Sequence, residues 1–316
     1  MENLSVAESE GNNQTLPILN SCDRSSFGQI VLPVSYSILF LFSLAGNVSL
    51  LFYYFRKEKS SSKLFIANLA ALDLLMALTL PLVTDYRLQG SIWRFGDALC
   101  TACVAVFYGN LYGGSLFMLC IASDRLVAVR FPEAYGRWTT RHHFRRLVCV
   151  CVWIIITTLF PWVSVSLRPL IRQPDGHLTC GDTFSDEQWL WLPMILVLGT
   201  VVGFLLPYAA IVACYALIAR ELTTSTKARQ RWKSRSLRAI VTLIAIMTVC
   251  FLPFHTVQMV NAVHRLTTGP GKGASSGICF GHRSLVFLAS MNSALDPFVC
   301  YYLSYSLKIN RLCQWR

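Results

Sequence analysis

The chain has 316 residues, of which 54% are hydrophobic and only 14% are charged, and its formal net charge is +12. An average soluble domain carries about 25% charged residues, so this composition excludes an ordinary soluble globule. The apolar residues lie in long blocks between short basic or polar segments, which is typical of a multi-pass membrane protein.

The chain begins with a polar segment, residues 1–28, which we expect to be an extracellular tail. It has neither the basic region nor the apolar region of a cleavable signal peptide. Two N-glycosylation sequons lie in it, at Asn3 and Asn13. The sequence therefore predicts a glycoprotein whose first apolar block serves as its own insertion signal.

Seven apolar blocks follow, and each is long enough for the roughly 20 helical residues that cross a bilayer. They cover residues 30–55, 64–88, 98–130, 146–168, 189–219, 236–264 and 281–305. The chain lacks the alternating strands of a membrane β-barrel and the internal repeats of many transporters. We predict an all-α, seven-transmembrane helix bundle over residues 29–305, followed by a short cytoplasmic amphipathic helix over residues 306–316.

The distribution of Lys and Arg predicts the orientation of this bundle. Most of the 28 basic residues follow the first, third, fifth and seventh blocks. Basic segments stay on the cytoplasmic side, so we expect the N-terminus outside and the C-terminus inside. The same asymmetry accounts for the positive charge, and we expect no nucleic-acid partner.

Four of the 12 cysteines fall on the outer side of this topology, where disulfides persist. Four cysteines allow three pairings, and we favour Cys100 with Cys180 and Cys22 with Cys279. Cys103 lies one turn deeper than Cys100 and competes with it. Cys313 follows the amphipathic stretch and is either a palmitoylation site or a free cytosolic thiol.

Polar residues at membrane depth are costly and mark functional sites. Two carboxylates, Asp73 and Asp296, lie there with the amides Asn47, Asn110 and Asn292. They could hold a Na⁺ ion through oxygen ligands, or form a structural hydrogen-bond network, and the sequence leaves both open. It shows no third catalytic group, metal motif or phosphate-binding loop, so we expect no enzyme.

Sequence motifs occur in order along these blocks. The first block has Gly46-Asn47 and the second has NLAALD. The third ends in Asp124-Arg125, and the fourth has Trp153. The fifth has a Pro followed eight residues later by Tyr215, the sixth has CFLPFH, and the seventh has DPFVCY. With this set, residues 30–315 resemble a rhodopsin-like (class A) G-protein-coupled receptor, which implies a multi-pass plasma-membrane receptor that activates heterotrimeric G proteins.

The resemblance implies roles for the residues near the cytoplasmic side. In this family the Asp at the end of helix three holds its Arg neighbour until helix six swings outward and the Arg meets the G protein. The residues that carry this activation here are Asp124, Arg125, Tyr215, Phe251, Pro253, Asp296 and Pro297.

Departures from the family pattern indicate one branch of it. Leu126 replaces the Tyr that usually follows the Arg, Phe251 replaces the helix-six Trp, and Asp296 replaces the Asn before Pro297. Cys300 takes the position of the usual helix-seven Tyr. The pattern is similar to the branch that holds nucleotide, lysophospholipid, protease-activated and proton-sensing receptors.

The resemblance implies a ligand pocket in the outer half of the bundle. Aromatic and polar residues line it, and basic residues lie at its rim, as expected for an anionic head group. Our leading hypothesis is an anionic lipid such as a lysophospholipid. The candidate ligand-binding residues are Arg87, Phe107, Tyr108, Tyr112, Arg168, Phe254, His255, Gln258, Arg265 and Arg283.

Other functions stay open. A nucleotide, a peptide or protons sensed by the outer histidines could be the stimulus of a receptor in the same branch. Gln258 argues against a nucleotide, because nucleotide-receptor relatives usually carry a basic residue there. Leu126 and Cys300 leave room for a decoy or scaffold receptor that does not signal.

Overall fold

The protein is described here by a computed structural model. It describes residues 27–56, 63–131, 135, 142–173, 176–182, 188–223, 227–268 and 276–300. The predicted sites at Asn3, Asn13, Cys22 and Cys313 lie outside these residues, as does the predicted C-terminal helix. The side chains of Arg265 and Cys279 also lie outside what the structure describes.

Four long helices make up the first part of the bundle. They are α1 (Leu32–Arg56), α2 (Lys63–Leu88), α3 (Gly96–Arg130) and α4 (His142–Leu167). A π-helical turn, Phe27–Val31, leads into α1. Pro81 and Pro161 lie inside α2 and α4, which a membrane helix tolerates because neighbouring helices satisfy the freed backbone groups.

A short antiparallel hairpin lies between α4 and α5. Its strands are β1 (Leu170–Arg172) and β2 (Leu178–Cys180), with Leu170 paired to Cys180 and Arg172 to Leu178. The backbone N–H of Trp93 donates to the Leu178 carbonyl at 2.8 Å and fixes the hairpin over the outer end of α2 and α3. A 3₁₀ turn, Gln188–Leu190, precedes α5.

The last three helices are interrupted. Helix α5 consists of Leu192–Leu198, a π-helical segment Gly199–Leu205 and Leu206–Thr223. Helix α6 consists of Lys227–Cys250 and Leu252–Thr268, and backbone hydrogen bonds continue across Phe251. Helix α7 consists of Ser276–Ser290 and a second helical segment at residues 292–300, which meet at Met291.

Helix α3 lies at the centre of the bundle. Of its most apolar window 61% is buried, against 22% for the corresponding window of α4. Small residues permit this central position: a Cβ atom added at Gly113 would lie 2.5 Å from Ile156 Cδ1 on α4. The Trp153 indole N–H on α4 donates to Asn68 Oδ1 on α2 at 2.7 Å and joins these two helices beside the same core.

Large apolar side chains also cover the outside of the bundle. Phe42, Leu78 and Trp162 are all more than half exposed, as expected for a surface that faces lipid. Within the described residues, six helices are long and apolar enough to cross a membrane. Helix α7 adds the seventh span, and the break at Met291 divides it into two shorter segments. The predicted all-α bundle is confirmed.

The predicted boundaries differ from the structure most at α6. The sixth block was predicted to begin at residue 236, but the helix begins at Lys227. Its first two turns are basic and polar, so they carry no membrane signal although they are good helix formers. The helix therefore continues beyond the apolar block on the cytoplasmic side.

Candidate functional site

The outer pocket lies beneath the β1–β2 hairpin. A disulfide joins Cys100 at the start of α3 to Cys180 at the end of β2, which confirms that predicted pair, and Cys103 carries a free thiol. The disulfide holds the residues after β2 over the bundle, so Asp182 reaches the pocket wall. The cavity measures about 100 Å³ and is bounded by side chains of α1, α2, α3, α6 and α7.

An ion cluster forms the polar wall of this pocket. The Arg87 guanidinium on α2 donates from Nη1 and Nη2 to the two oxygens of Asp182, at 2.6 and 2.9 Å. The Tyr86 hydroxyl donates to Asp182 Oδ2 at 2.9 Å, and Arg283 Nη2 on α7 lies 3.7 Å from the same oxygen. We call Arg87, Asp182 and Arg283 the outer cluster.

Burial gives the outer cluster its strength. Arg87, Asp182 and Arg283 have only 6%, 10% and 4% of their side chains exposed. Burial by itself raises the pKa of Asp182, but the charges of Arg87 and Arg283 outweigh it and hold the pKa well below its ordinary value. The carboxylate is therefore ionised at physiological pH. Arg87 Nε is buried and has no hydrogen-bond partner among the described residues.

Four of the predicted ligand residues line the pocket: Arg87, Phe107, Tyr108 and Phe254. Phe107 packs edge-on against both Tyr108 and Phe254, with ring centroids 5.3 and 5.8 Å apart. The rest of the wall is mostly apolar and aromatic. A ligand with a hydrocarbon or aromatic body and one anionic group matches such a lining.

The other predicted ligand residues lie elsewhere. Arg283 is not among the described residues that line the pocket, but its Nη2 lies 3.7 Å from Oδ2 of Asp182, which does line it. Gln258 is not among the described residues that line the pocket, but it forms a hydrogen bond with the side chain of Tyr108, which does line it. Arg168 is exposed and adopts a left-handed backbone conformation with φ of 41°. Tyr112 and His255 lie deeper in the bundle.

Tyr112 and His255 belong to an aromatic stack below the pocket. The His255 ring lies 4.4 Å from the Phe204 ring and nearly parallel to it, and Tyr112 stacks on Phe160 at 5.6 Å. The π-helical segment of α5 makes room for Tyr112, because a Cβ atom at Gly203 would lie 2.4 Å from Tyr112 Cδ1. This stack joins α3, α4, α5 and α6.

A polar layer lies deeper still. Asn110 Nδ2 donates to Asp73 Oδ1 at 2.9 Å, and Asn292 Nδ2 donates to Asp296 Oδ2 at 2.8 Å. Asn47 Nδ2 donates to the Ser293 carbonyl at 2.8 Å. The two carboxylates are close enough to interact electrostatically.

Several oxygens of this layer have no hydrogen-bond partner within the part of the chain that the structure describes. They are fully buried and belong to both carboxylates and two amides: Asp73 Oδ2, Asp296 Oδ1, Asn47 Oδ1 and Asn292 Oδ1. Buried acceptors without partners are rare, and oxygen ligands of this kind suit a hard cation. The five residues predicted to lie at membrane depth are all buried, and four of them pair as Asn110 with Asp73 and Asn292 with Asp296.

Pro297 sits beside this layer, on the helix-seven motif. A Cβ atom added at Gly46 of α1 would lie 3.0 Å from Pro297 Cγ. The Gly46-Asn47 pair therefore has two structural functions, because the glycine admits Pro297 and the amide binds the backbone of α7. Cys300, at the position of the usual Tyr, is completely buried in the main hydrophobic core.

A second ion cluster lies at the cytoplasmic end of α3. Arg125 Nη2 donates to Asp124 Oδ2 at 2.8 Å, as the resemblance implies. Arg145 on α4 donates from Nε and Nη2 to the other oxygen, Asp124 Oδ1, at 3.1 and 2.7 Å. The Tyr135 hydroxyl donates to Asp124 Oδ2 at 3.1 Å. We call Asp124, Arg125 and Arg145 the inner cluster.

The remaining predicted activation residues lie on α5 and α6. Phe251 is completely buried and packs edge-on against Phe204, with ring centroids 6.3 Å apart. Pro253 follows two residues later at the irregular point of α6, where a proline removes a backbone hydrogen bond. Tyr215 is half-buried on α5 and packs against the core.

The predicted site residues did not include several that the structure brings into these sites, among them Asp182, Tyr86, Tyr135 and Arg145. Asp182 follows Cys180 by two residues, so the predicted disulfide could have pointed to it. Arg145 is one of several basic residues before the fourth block, and only the folded arrangement distinguishes it from the exposed Arg146.

Comparisons with known proteins agree with this architecture. The family model described as 7 transmembrane receptor (rhodopsin family) matches residues 46–300. G-protein coupled receptor 183 of Rattus norvegicus is 31% identical over 307 residues, covering 92% of this chain and 85% of the relative. The protein of the same name from Homo sapiens is 30% identical over 307 residues, covering 93% and 84%.

A further relative carries a different name. The Uracil nucleotide/cysteinyl leukotriene receptor of Homo sapiens is 27% identical over 316 residues, covering 98% of this chain and 82% of the relative. All these alignments run through the helices that carry the two ion clusters and the polar layer.

Proposed function

This chain belongs to the rhodopsin family of seven-transmembrane receptors, and we propose that its extracellular ligand is an anionic lipid such as a lysophospholipid. Membership makes it a multi-pass plasma-membrane receptor, not an enzyme, that answers an extracellular ligand by coupling to G proteins.

The outer cluster is the evidence that this ligand carries an anionic group. Arg87 and Arg283 share the single carboxylate of Asp182, so the three side chains together carry one excess positive charge. Buried Arg87 also keeps one N–H, on Nε, without a partner. A buried unpaired donor or charge is costly, and an anionic head group that binds Arg87 would remove this cost.

The lining of the pocket is the evidence that this ligand has a hydrocarbon chain. Next to the outer cluster the wall consists of apolar side chains such as Leu80, Val83 and Val286, together with the aromatic rings already described. A hydrocarbon chain needs only such surfaces, whereas a nucleotide would bring a base and a ribose that require several polar partners. The geometry therefore favours a lipid over a nucleotide.

We propose that binding reaches the G-protein side through the aromatic stack. Phe254 lines the pocket and packs against His255 at 5.5 Å, and His255 in turn packs against Phe204. Movement of α6 would follow a shift of Phe254, and Pro253 lies at the point where the helix bends most easily. Outward movement of α6 then exposes Arg125 at the inner cluster.

We further propose that the polar layer binds Na⁺. Asp73, Asn292 and Asp296 each have a buried oxygen without a hydrogen-bond partner among the described residues. These oxygens are hard ligands of the type that such a cation prefers. Two neighbouring buried carboxylates would repel each other if both were ionised, and a cation between them would relieve this repulsion.

The test is G-protein dissociation in cells that express the full chain at the surface. The ligand panel contains lysophosphatidic acid, lysophosphatidylserine, a uracil nucleotide and a cysteinyl leukotriene. Arg125→Ala reports coupling, Arg87→Gln reports the pocket, and Arg94→Gln is the matched control because Arg94 forms an exposed pair with Asp85.

We expect a response to an anionic lysophospholipid that is lost in Arg125→Ala, weakened about tenfold or more in Arg87→Gln and kept in Arg94→Gln. A response to the uracil nucleotide and to no lipid would reject the proposal that the ligand is a lipid. Binding of a lipid without any G-protein response would identify a non-signalling receptor.

A further inference from the structure

A second cavity lies near the cytoplasmic ends of α2, α3 and α4, and the receptor function described above does not use it. Its volume is about 400 Å³, which is larger than the outer pocket. Leu119, Val127 and Val148 contribute to its apolar wall, and Arg145 of the inner cluster forms part of its polar end.

Arg145 is the reason to regard this cavity as a binding site. Only 9% of its side chain is exposed. Its Nε and Nη2 donate to Asp124, but Nη1 is buried and has no hydrogen-bond partner in the part of the chain that the structure describes. An ionised guanidinium in an apolar cavity therefore keeps a donor that an additional acceptor could satisfy.

The charges of the inner cluster indicate that this acceptor is an anion. Asp124 has one negative charge and binds both Arg125 and Arg145. Nη1 belongs to a charged guanidinium, so a negatively charged acceptor binds it more strongly than a neutral acceptor does. Asp124 is also the only carboxylate that lines this cavity among the described residues.

The position of the cavity indicates where this anion comes from. Helix α4 exposes Phe144, Leu147 and Val150 beside it, and each of them is more than half exposed. An apolar surface at this depth faces the hydrocarbon of the cytoplasmic leaflet. That leaflet carries acidic phospholipids, which basic residues at the membrane surface attract.

We propose that this cavity binds an acidic phospholipid of the cytoplasmic leaflet. An oxygen of the phosphate or carboxylate head group accepts from Arg145 Nη1, and an acyl chain packs against Leu119, Val127 and Val148. Binding at Nη1 leaves the hydrogen bonds from Arg145 Nε and Nη2 to Asp124 in place. The site is separate from the outer pocket, so it holds or fails independently of the extracellular ligand.

The experiment uses the full chain in phosphatidylcholine nanodiscs with and without phosphatidylserine, and native mass spectrometry counts the retained phosphatidylserine. Arg145→Gln keeps a polar side chain but loses the charge. Arg146→Gln is the matched control, because it removes the same charge from an exposed neighbour. Val148→Trp fills the cavity and leaves the Arg145–Asp124 pair in place.

We expect the native chain and Arg146→Gln to retain phosphatidylserine. Retention by Arg145→Gln should be weaker by about tenfold or more, because tenfold in affinity corresponds to the free energy of about one charge-assisted hydrogen bond. Val148→Trp should lose retention to a similar extent. Equal retention by Arg145→Gln and Arg146→Gln would overturn the proposal, since attraction to the basic surface would then explain it. Retention of phosphatidylserine by Val148→Trp would also overturn the proposal. Displacement of phosphatidylserine by soluble inorganic phosphate would do the same.

Discussion

The outer and inner clusters are built alike at opposite ends of the bundle. In each, two buried arginines share one aspartate, and a tyrosine hydroxyl donates to the same carboxylate. Each cluster also keeps one arginine N–H without a partner among the described residues, on Arg87 at the outer end and Arg145 at the inner end. Both ends therefore present a buried positive site beside an apolar cavity.

The clusters differ in what carries the carboxylate. Asp182 comes from a loop that a disulfide two residues earlier ties to α3, whereas Asp124 lies within α3 itself. A ligand can displace a loop residue without moving a helix. The inner carboxylate and Arg125 belong to the same helix, whereas Arg145 belongs to α4 and can move relative to them. Under the function proposed above, the same chemistry detects a ligand at one end and controls coupling at the other.

The largest predicted effect comes from removing the outer carboxylate. Asp182→Asn removes the counter-charge that Arg87 and Arg283 share, and breaking a buried pair costs about 3–5 kcal/mol. The melting temperature of the purified receptor measures this loss. Asp85→Asn breaks the more exposed pair with Arg94 and should cost less than about 1 kcal/mol. Equal losses in the two variants would show that burial does not strengthen the outer cluster.

The next effect is expected at the inner carboxylate. Asp124→Asn weakens the hold on Arg125 by about 1.5–3 kcal/mol, the strength of one charge-assisted hydrogen bond. Because this hold favours the resting state, basal G-protein dissociation without ligand should rise at matched surface expression. The same measurement on Asp182→Asn should show no rise. A rise in both variants would remove the functional difference between the clusters.

A smaller effect is expected in the aromatic stack between the clusters. Gly203→Ala would place a Cβ atom 2.4 Å from Tyr112 Cδ1, and such overpacking costs about 1–3 kcal/mol. Gly114→Ala is the control, because its Cβ would lie 3.9 Å from the nearest Leu69 atom, an ordinary contact. Melting temperatures that fall equally in the two variants, or in neither, would show that Tyr112 has room to move.

The smallest effect concerns pH. The folded-state pKa of Asp182 is lowered, so its stabilisation is present above the unfolded pKa and is lost as the pH falls through the folded value. The difference in melting temperature between the native chain and Asp182→Asn should stay constant from about pH 8 to pH 5 and shrink only below about pH 4. A change near neutral pH would favour proton sensing through the outer cluster.

The sequence predicted the bundle and the signalling motifs because both depend on local patterns. Apolar blocks and basic flanks determine the spans and the orientation, and Asp124-Arg125 are neighbours in the chain. The Cys100–Cys180 disulfide was also predictable, since few cysteines fall on the outer side. These features need no knowledge of how the helices pack.

The two clusters could not be predicted in full, because their partners come from distant parts of the chain. Asp182 and Arg87 are 95 residues apart, and Arg145 and Asp124 are 21 apart. Tyr112 and His255 were predicted to bind ligand, but the glycines of α5 let Tyr112 pack below the pocket. The glycosylation sites, the pair of Cys22 with Cys279, lipidation at Cys313 and the tail boundaries remain predictions.

In the function proposed above, the outer cluster binds an anionic group next to a hydrocarbon chain. The direct measurement is the shift in melting temperature of the purified receptor with lysophosphatidic acid and with a neutral monoacylglycerol of the same acyl chain. We predict a shift with the anionic lipid only, and its loss in Arg87→Gln but not in Arg94→Gln. Equal shifts with both lipids, or an undiminished shift in Arg87→Gln, would contradict the account.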